Sequence, residues 1–156
     1  MALIVAMLAA NLAFARANGE QSISFFGALA DGQAETVTVK EIEALGLHEF
    51  SVYNPFELRE DLYTGVFVKE FVEAFGADDI VEISATAIDD YTITFSREEW
   101  LRYPIVFAIR VNGEYIGFDK KGPMRVIFPE YDPNKSEYQE LLPKWMWMIT
   151  QIEFKK

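Results

Sequence analysis

Hydrophobic residues show the period of a helix most clearly in the middle of the chain. Val68, Phe71, Val72 and Phe75 follow the i, i+3, i+4, i+7 spacing of one helix face, and a glycine comes directly after them. The spacing predicts a helix over 68–75.

Two sequences with the spacing of a capping box predict shorter helices. Thr38 stands three residues before Glu41, and Ser96 stands three residues before Glu99. In such a box, each side chain accepts a hydrogen bond from the backbone N–H of the other residue. We expect the first of these helices to end near Leu45.

A period of two predicts strands for most of the remaining chain. Asp89-Asp90 and Asn112-Gly113 are turn signals, and the second is the stronger because a type I′ turn needs positive φ at both central residues. Tyr63 to Val66 is predicted as a turn. The predicted strands are 47–53, 81–87, 91–95, 105–111, 114–118, 124–128 and 145–154. Together the elements predict an α+β fold with short helices and a mixed β-sheet or barrel-like core.

Residues 1–17 have the pattern of a secretory signal peptide. An apolar run from Met1 ends in the small-x-small patterns Ala13-Phe14-Ala15 and Ala15-Arg16-Ala17. The run is shorter than the about 20 residues of a membrane span. We therefore expect a periplasmic or secreted protein with a single domain over 18–156 and no membrane span in its mature form. An uncleaved N-terminal helix is the alternative, since no basic residue precedes the run.

The composition excludes several partners and sites. The chain has 156 residues, 25 of them acidic and 14 basic, and a formal net charge of -11. Nucleic acid is not an expected partner, because the summed field repels polyanions. The chain has no cysteine and a single histidine, His48. These counts exclude disulfides, thiolate metal sites, iron–sulfur clusters and three-histidine metal sites.

Four segments resemble, in order, the molybdopterin-binding domain of the sulfite oxidase family. They are Tyr63 to Val68 before a helix, Ala87 to Thr92, Lys121 to Pro129 with its Gly-Pro-Met-Arg sequence, and Lys144 to Ile149. The resemblance spans nearly all of 18–156 and points to short, stand-alone bacterial members of the family. It implies the fold of that domain.

The same resemblance implies a molybdopterin cofactor, whose molybdenum is held by a cysteine thiolate from an early strand. This chain has no cysteine. The corresponding region by order is 50–54, where Ser51 and Tyr53 are the nearest polar side chains, and a neutral hydroxyl is a poor substitute for a thiolate. We therefore expect no cofactor, and molybdopterin held without a thiolate is the alternative.

A basic cluster follows the second hairpin. Lys120, Lys121 and Arg125 surround Gly122 in an otherwise acidic chain. These side chains suit an anion such as a phosphate or a pterin phosphate, which they can hold by charge-assisted hydrogen bonds. A solvated loop explains the same residues without a ligand.

Other residues also have two interpretations. Asp89, Asp90 and Tyr91 either present two carboxylates and a phenol to a cleft or form a turn. His48 either carries a proton near neutral pH or is structural. Aromatic residues either stack on a planar ligand or fill the core. The aromatic candidates are Trp100, Trp145, Trp147, Tyr53, Tyr63, Tyr103 and Tyr115, of which Trp145 and Trp147 are expected on one face of a strand.

Three hypotheses of function follow. The first is an exported, non-catalytic relative of the enzymes, which binds a small anionic ligand or a partner protein, including a membrane sensor. The second is a molybdopterin-dependent oxidoreductase without a cysteine ligand. The third is a hydrolase built on His48. The missing cysteine and the retained Gly-Pro-Met-Arg sequence favour the first.

Overall fold

A computed structural model describes residues 17–156 of this chain. The predicted signal peptide lies, apart from its last residue, outside the described residues. Four short helices lie among ten strands in the described part. The helices are α1 Val39–Glu43, α2 Val68–Phe75, α3 Arg97–Arg102 and α4 Ser136–Glu140. The strands are β1 Ser22–Gly27, β2 Thr36–Thr38, β3 His48–Asn54, β4 Arg59–Phe67, β5 Glu82–Ala87, β6 Thr92–Ser96, β7 Val106–Val111, β8 Glu114–Tyr115, β9 Arg125–Ile127 and β10 Ile149–Lys155.

The strands form two sheets in an α+β fold. The first sheet has the order β2-β1-β10-β5-β6, in which only β1 and β10 pair in parallel. The second has the order β3-β4-β7-β8. Strand β9 pairs with the same edge of β7 as β8 does, but with residues 106–108 rather than 110–111. The predicted mixed sheet is confirmed, but the barrel-like closure is wrong because both sheets end in edge strands. Alternation of apolar residues is the same in open and closed sheets, so the pattern did not distinguish them.

Helix α2 joins the cores of the two sheets. The Phe71 ring lies 5.5 Å from the ring of Phe25 on β1 and 5.0 Å from that of Phe107 on β7. It also lies 6.0 Å from the ring of Phe154 on β10. All four side chains are fully buried, so the helix predicted from its apolar spacing carries the contact between the layers. No helix in residues 17–156 has the length and apolar composition to span a membrane.

Local signals predicted three of the four helices, and α4 was not predicted. Both capping boxes are present, with Thr38 bonded to Glu41 and Ser96 bonded to Glu99. The first helix ends two residues earlier than expected, at Glu43. Strand β1 was not predicted, because its main partner is β10 at the opposite end of the chain.

Three predicted elements are wrong. Tyr63 to Val66 is not a turn but part of β4, in which the Thr-Gly pair forms an irregularity opposite β7. The strand predicted over 114–118 ends at Tyr115, because a 3₁₀ turn begins at Phe118. The last strand begins at Ile149 rather than at Trp145, because Met148 has a φ of 58° and interrupts the extended backbone. Trp145 and Trp147 therefore do not share the face of a strand.

The irregularity in β4 brings two backbones together at Gly65. A Cβ atom there would lie 2.1 Å from the carbonyl oxygen of Phe107, a distance that no side chain accepts. We expect Gly65→Ala to lower the free energy of unfolding by about 3 kcal/mol, because β4 and β7 must separate. Gly113→Ala is the control, since its Cβ meets open space and only its φ of 82° is unfavourable, at about 1 kcal/mol. Urea unfolding of both variants measures the difference, and equal losses would contradict the close approach.

Candidate functional site

A buried arginine forms the centre of the site. Arg125 begins β9 opposite Ala108 of β7, and only 4% of its side chain is exposed. Its Nη2 donates to Oε1 of Glu57 at 2.8 Å, and its guanidinium lies 5.6 Å from the centre of the Tyr63 ring. Its Nε is buried and has no acceptor among residues 17–156. A buried guanidinium needs a counter-charge, and here one carboxylate supplies it at one edge.

The turn between β3 and β4 places that carboxylate. Asn54 ends β3 with a buried side chain, whose Oδ1 accepts from the backbone N–H groups of Phe56 at 2.9 Å and Glu57 at 3.2 Å. Its Nδ2 donates to the hydroxyl of Tyr63 at 3.1 Å. The asparagine therefore shapes the turn and ties it to β4. Burial raises the pKa of Tyr63, which keeps its hydroxyl neutral as the acceptor of this bond.

Lys121 reaches the same carboxylate from the loop before β9. Its backbone is left-handed, with a φ of 66°, and its Nζ lies 3.5 Å from Oε1 of Glu57 and 4.8 Å from the centre of the Trp147 ring. Gly122 follows it, where a Cβ atom would lie 1.8 Å from the carbonyl oxygen of Ile116. The glycine thus permits the close packing that directs the loop toward Glu57.

Two further charges extend the network. Arg59 donates from Nε to Oδ2 of Asp61 at 2.7 Å, and its Nη2 lies 3.4 Å from Oε2 of Glu57. Oδ1 of Asp61 in turn accepts from Asn112 at 2.9 Å. We call Glu57, Arg59, Asp61, Lys121 and Arg125 the Arg125 cluster. Its three cations exceed its two carboxylates, although the whole chain is strongly acidic.

Ser51 and Tyr53 lie on the other face of β3. The buried side chains of this strand are Val52 and Asn54, so the residues between them point the opposite way. Ser51 is exposed and donates to the carboxylate of Glu60. Tyr53 is also exposed. The structure does not bring these two hydroxyls to Arg125.

The other candidates near the predicted cleft are separate from the Arg125 cluster. Lys120 is exposed on the 3₁₀ turn Phe118–Lys120 and makes no ion pair within the described part of the chain. Asp90 is exposed in the β5–β6 turn with a φ of 67°. Tyr91 follows it and donates its hydroxyl hydrogen to the carbonyl oxygen of Pro143 at 3.0 Å. Asp90 and Tyr91 therefore have the geometry of a turn.

His48 lies at the far end of β3, about 20 Å from Asn54 by strand length. Its Nε2 is 3.1 Å from both carboxylate oxygens of Glu70, which also accepts the backbone N–H of Phe67. Phe67 and Glu70 line a cavity of about 560 Å³. No hydroxyl in residues 17–156 bonds to His48, so the pair has an orienting acid and no nucleophile.

Glu57 and Asn54 were not predicted as site residues, and Tyr63 was predicted only as an aromatic residue that either stacks on a planar ligand or fills the core. The Asn-Pro pair was recognised as the end of a strand, and an asparagine at that point is also the signal for an Asx turn. Glu57 has no comparable local signal, because it is one of 25 acidic residues. Its role arises only when β9 is placed beside the turn.

The residues present do not fit a thiolate-bound molybdenum. The inward-facing side chains of β3 are Val52, which has no ligand atom, and Asn54, whose Oδ1 already accepts two backbone N–H groups. In the part of the chain that the structure describes, no three His, Asp or Glu side chains come together as a metal site. The ligand set that the enzymes of the resembled family use is therefore missing here.

Comparisons with known proteins give a distant relation of fold. No family model matches the sequence, and no curated protein matches it. Among solved structures, the chain is similar to the crystal structure of the sulfane dehydrogenase SoxCD from Paracoccus pantotrophus, with a TM-score of 0.58 and 11% sequence identity. The similarity covers 87% of this chain and 38% of that one, so this chain spans well under half its length. At this identity the similarity shows the fold alone.

The Arg125 cluster makes a prediction about stability. Glu57→Gln removes the carboxylate and leaves a nearly inaccessible guanidinium without its counter-charge, so we expect the free energy of unfolding to fall by about 3 kcal/mol. Glu73→Gln is the matched control, because Glu73 pairs with Lys69 at 3.9 Å on an exposed helix face, and its loss should stay below about 0.5 kcal/mol. Urea unfolding at neutral pH compares the two. A loss at Glu57 no larger than at Glu73 would show that the buried pair is not needed.

Proposed function

We propose that this chain is a non-catalytic binding domain, which takes a small anionic ligand at the Arg125 cluster. The observation that carries the proposal is the buried Nε of Arg125, a charged donor with no acceptor in residues 17–156. Buried polar groups are nearly always bonded, and an unsatisfied charged donor is among the costliest to leave alone. An anion at this edge of the guanidinium satisfies it.

The cluster contains two kinds of cation, a planar guanidinium and an ammonium group. Arg125 presents a planar guanidinium whose Nη2 donates to Glu57, and the ligand accepts from its free Nε. Lys121 adds a point charge whose side chain is 41% exposed, so that solvent and ligand can reach it. In the proposed complex, the guanidinium of Arg125 therefore binds two anions, the carboxylate of Glu57 and the ligand.

Entry of the ligand requires the β3–β4 turn to move, because the Nε atom is shielded from solvent. Phe56 and Leu58 in this turn are exposed by 47% and 74%, and Leu58 has a φ of 54°. The turn is held by the hydrogen bonds of Asn54 and by the Phe56 ring, whose centroid lies 5.6 Å from that of Trp147, so opening must break this ring contact. The acidic charge of the rest of the chain is screened beyond about 8 Å and does not exclude a small anion.

One preparation of the protein is enough to test the alternative functions. Export and a molybdopterin held without cysteine remain predictions from the sequence, and both are tested on full-length protein exported from a host that makes molybdopterin. Molybdenum and pterin near one per chain would contradict the binding domain. Hydrolysis at His48 requires a pH-dependent activity that His48→Ala abolishes.

Anion binding is measured directly by calorimetric titration of the wild-type chain with sulfate, phosphate and acetate at constant ionic strength. We expect saturable binding of at least one of them, and Lys121→Met should weaken it by about tenfold, since a charge-assisted hydrogen bond contributes about 1.4 kcal/mol. Lys120→Met removes the same charge from the adjacent exposed position and should leave the affinity within about twofold.

Two results would overturn the proposal. One is the absence of saturable binding of all three anions to the wild-type chain. The other is binding by Glu57→Gln alone, because Glu57 would then be a permanent internal occupant of the site.

A further inference from the structure

Most edges of the two sheets in residues 17–156 are protected against pairing with another chain. Strands β2 and β8 are only three and two residues long. At the edge of β6, Nζ of Lys144 donates to the carbonyl oxygen of Thr94 at 2.8 Å. The edge of β9 is covered, because the N–H of Val126 donates to the carbonyl oxygen of Met146 at 2.7 Å. Short edge strands, lysine side chains and covering segments are common means of preventing association through strand edges.

The edge of β3 has none of these protections. The strand has seven residues, His48–Asn54, and contains neither proline nor lysine. It pairs with β4 along its whole length without a shift in register, and it has no other strand partner in the described part of the chain. A straight edge of this length is a template for a further strand.

The bonds of β4 identify the residues of β3 that face this free edge. Leu62 lies opposite Ser51, and its N–H and C=O both bond to Asn112, which follows β7 on the other side of β4. Residues opposite each other in an antiparallel pair either both bond across the pair or both point away from it. Ser51 therefore points away from β4, and so do Glu49 and Tyr53, two positions before and after it. No strand in residues 17–156 pairs with the N–H and C=O groups of these three residues.

We propose that β3 pairs antiparallel with β3 of a second copy of this chain, about a two-fold axis at Ser51. This register pairs all seven residues and forms about six backbone hydrogen bonds. Phe50, which is only partly buried in one copy, then faces Val52 of the second. Glu49 is the only acidic residue of the strand, and it faces Tyr53 of the second copy, so no like charges lie opposite each other. The inference does not depend on anion binding, because no residue of the Arg125 cluster lies on β3.

Sedimentation equilibrium of the exported protein measures the association at physiological ionic strength, which screens the net charge of each copy beyond about 8 Å. We expect a reversible dimer. Ser51→Pro removes an N–H that faces the free edge, so the bonds between β3 and β4 remain, and the dimer should weaken by at least about tenfold. Ser51→Ala is the control, because it removes the same hydroxyl and keeps the N–H, and the affinity should stay within about twofold. Ser51→Lys keeps the N–H but places two ammonium groups at the axis, and it should also weaken the dimer.

Cysteine cross-linking tests the register, because the natural chain has no cysteine. At the axis, the two copies of residue 51 have Cα atoms about 5.5 Å apart, within the range of a disulfide. Ser51→Cys should therefore form a disulfide-linked dimer under mild oxidation. Tyr53→Cys is exposed on the same face, but its two copies lie about 13 Å apart along the strands and should not cross-link. The proposal is overturned if the wild-type chain stays monomeric up to about 1 mM, if Ser51→Pro and Ser51→Ala associate equally, or if Ser51→Cys and Tyr53→Cys cross-link to the same extent.

Discussion

The burial of one positive charge constrains the arrangement around the site. Removing a guanidinium from water costs several kcal/mol, so the fold must place a carboxylate, that of Glu57, beside Arg125. The β3–β4 turn carries this carboxylate, and the side chain of Asn54 sets the path of the turn. Since Asn54 also donates to Tyr63, and the Tyr63 ring lies under the guanidinium, the turn, the strand and the charge depend on one another.

One irregular segment connects the Arg125 cluster to an apolar cavity of about 240 Å³ beside the β5–β6 turn. Residues 145–148 are bonded to the Lys121 loop through the N–H of Met148, and to the β5–β6 turn through the carbonyl of the same residue. Trp147 faces the ammonium of Lys121 and also lines the apolar cavity. The Arg125 cluster therefore combines strand residues, Arg59 and Asp61 on β4 and Arg125 on β9, with Glu57 and Lys121 from two loops.

The parts predicted from the sequence are those with local causes. The capping boxes, the amphipathic spacing of α2 and the Asn-Gly turn depend on residues a few positions apart. The pairing of β1 with β10 joins the two ends of the described chain, and no local pattern contains it. The positive φ of Met148 likewise depends on bonds to distant loops.

The same distinction applies to the site. Lys121 and Arg125 were candidates because basic residues are conspicuous in an acidic chain, whereas Glu57 resembles any other surface glutamate until the turn is placed. Ser51 and Tyr53 were chosen by position along the chain. Their orientation follows from which residues of β3 are buried. Phe50 and Val52 lie on one face of this short strand, and Ser51 and Tyr53 lie on the other. The sequence does not decide which face is buried until Asn54 is known to point inward.

Unsatisfied buried donors are the physical basis of the binding proposal. Four buried side-chain atoms lack partners in the described residues, and two of them belong to an amide and a hydroxyl, at Gln21 and Thr64, which can reorient. The other two are the Nε of Arg125 and the Nε1 of Trp145, whose N–H directions are fixed by a planar group in a packed setting. The unsatisfied Nε of Arg125 is the physical reason to look for a ligand that carries an acceptor.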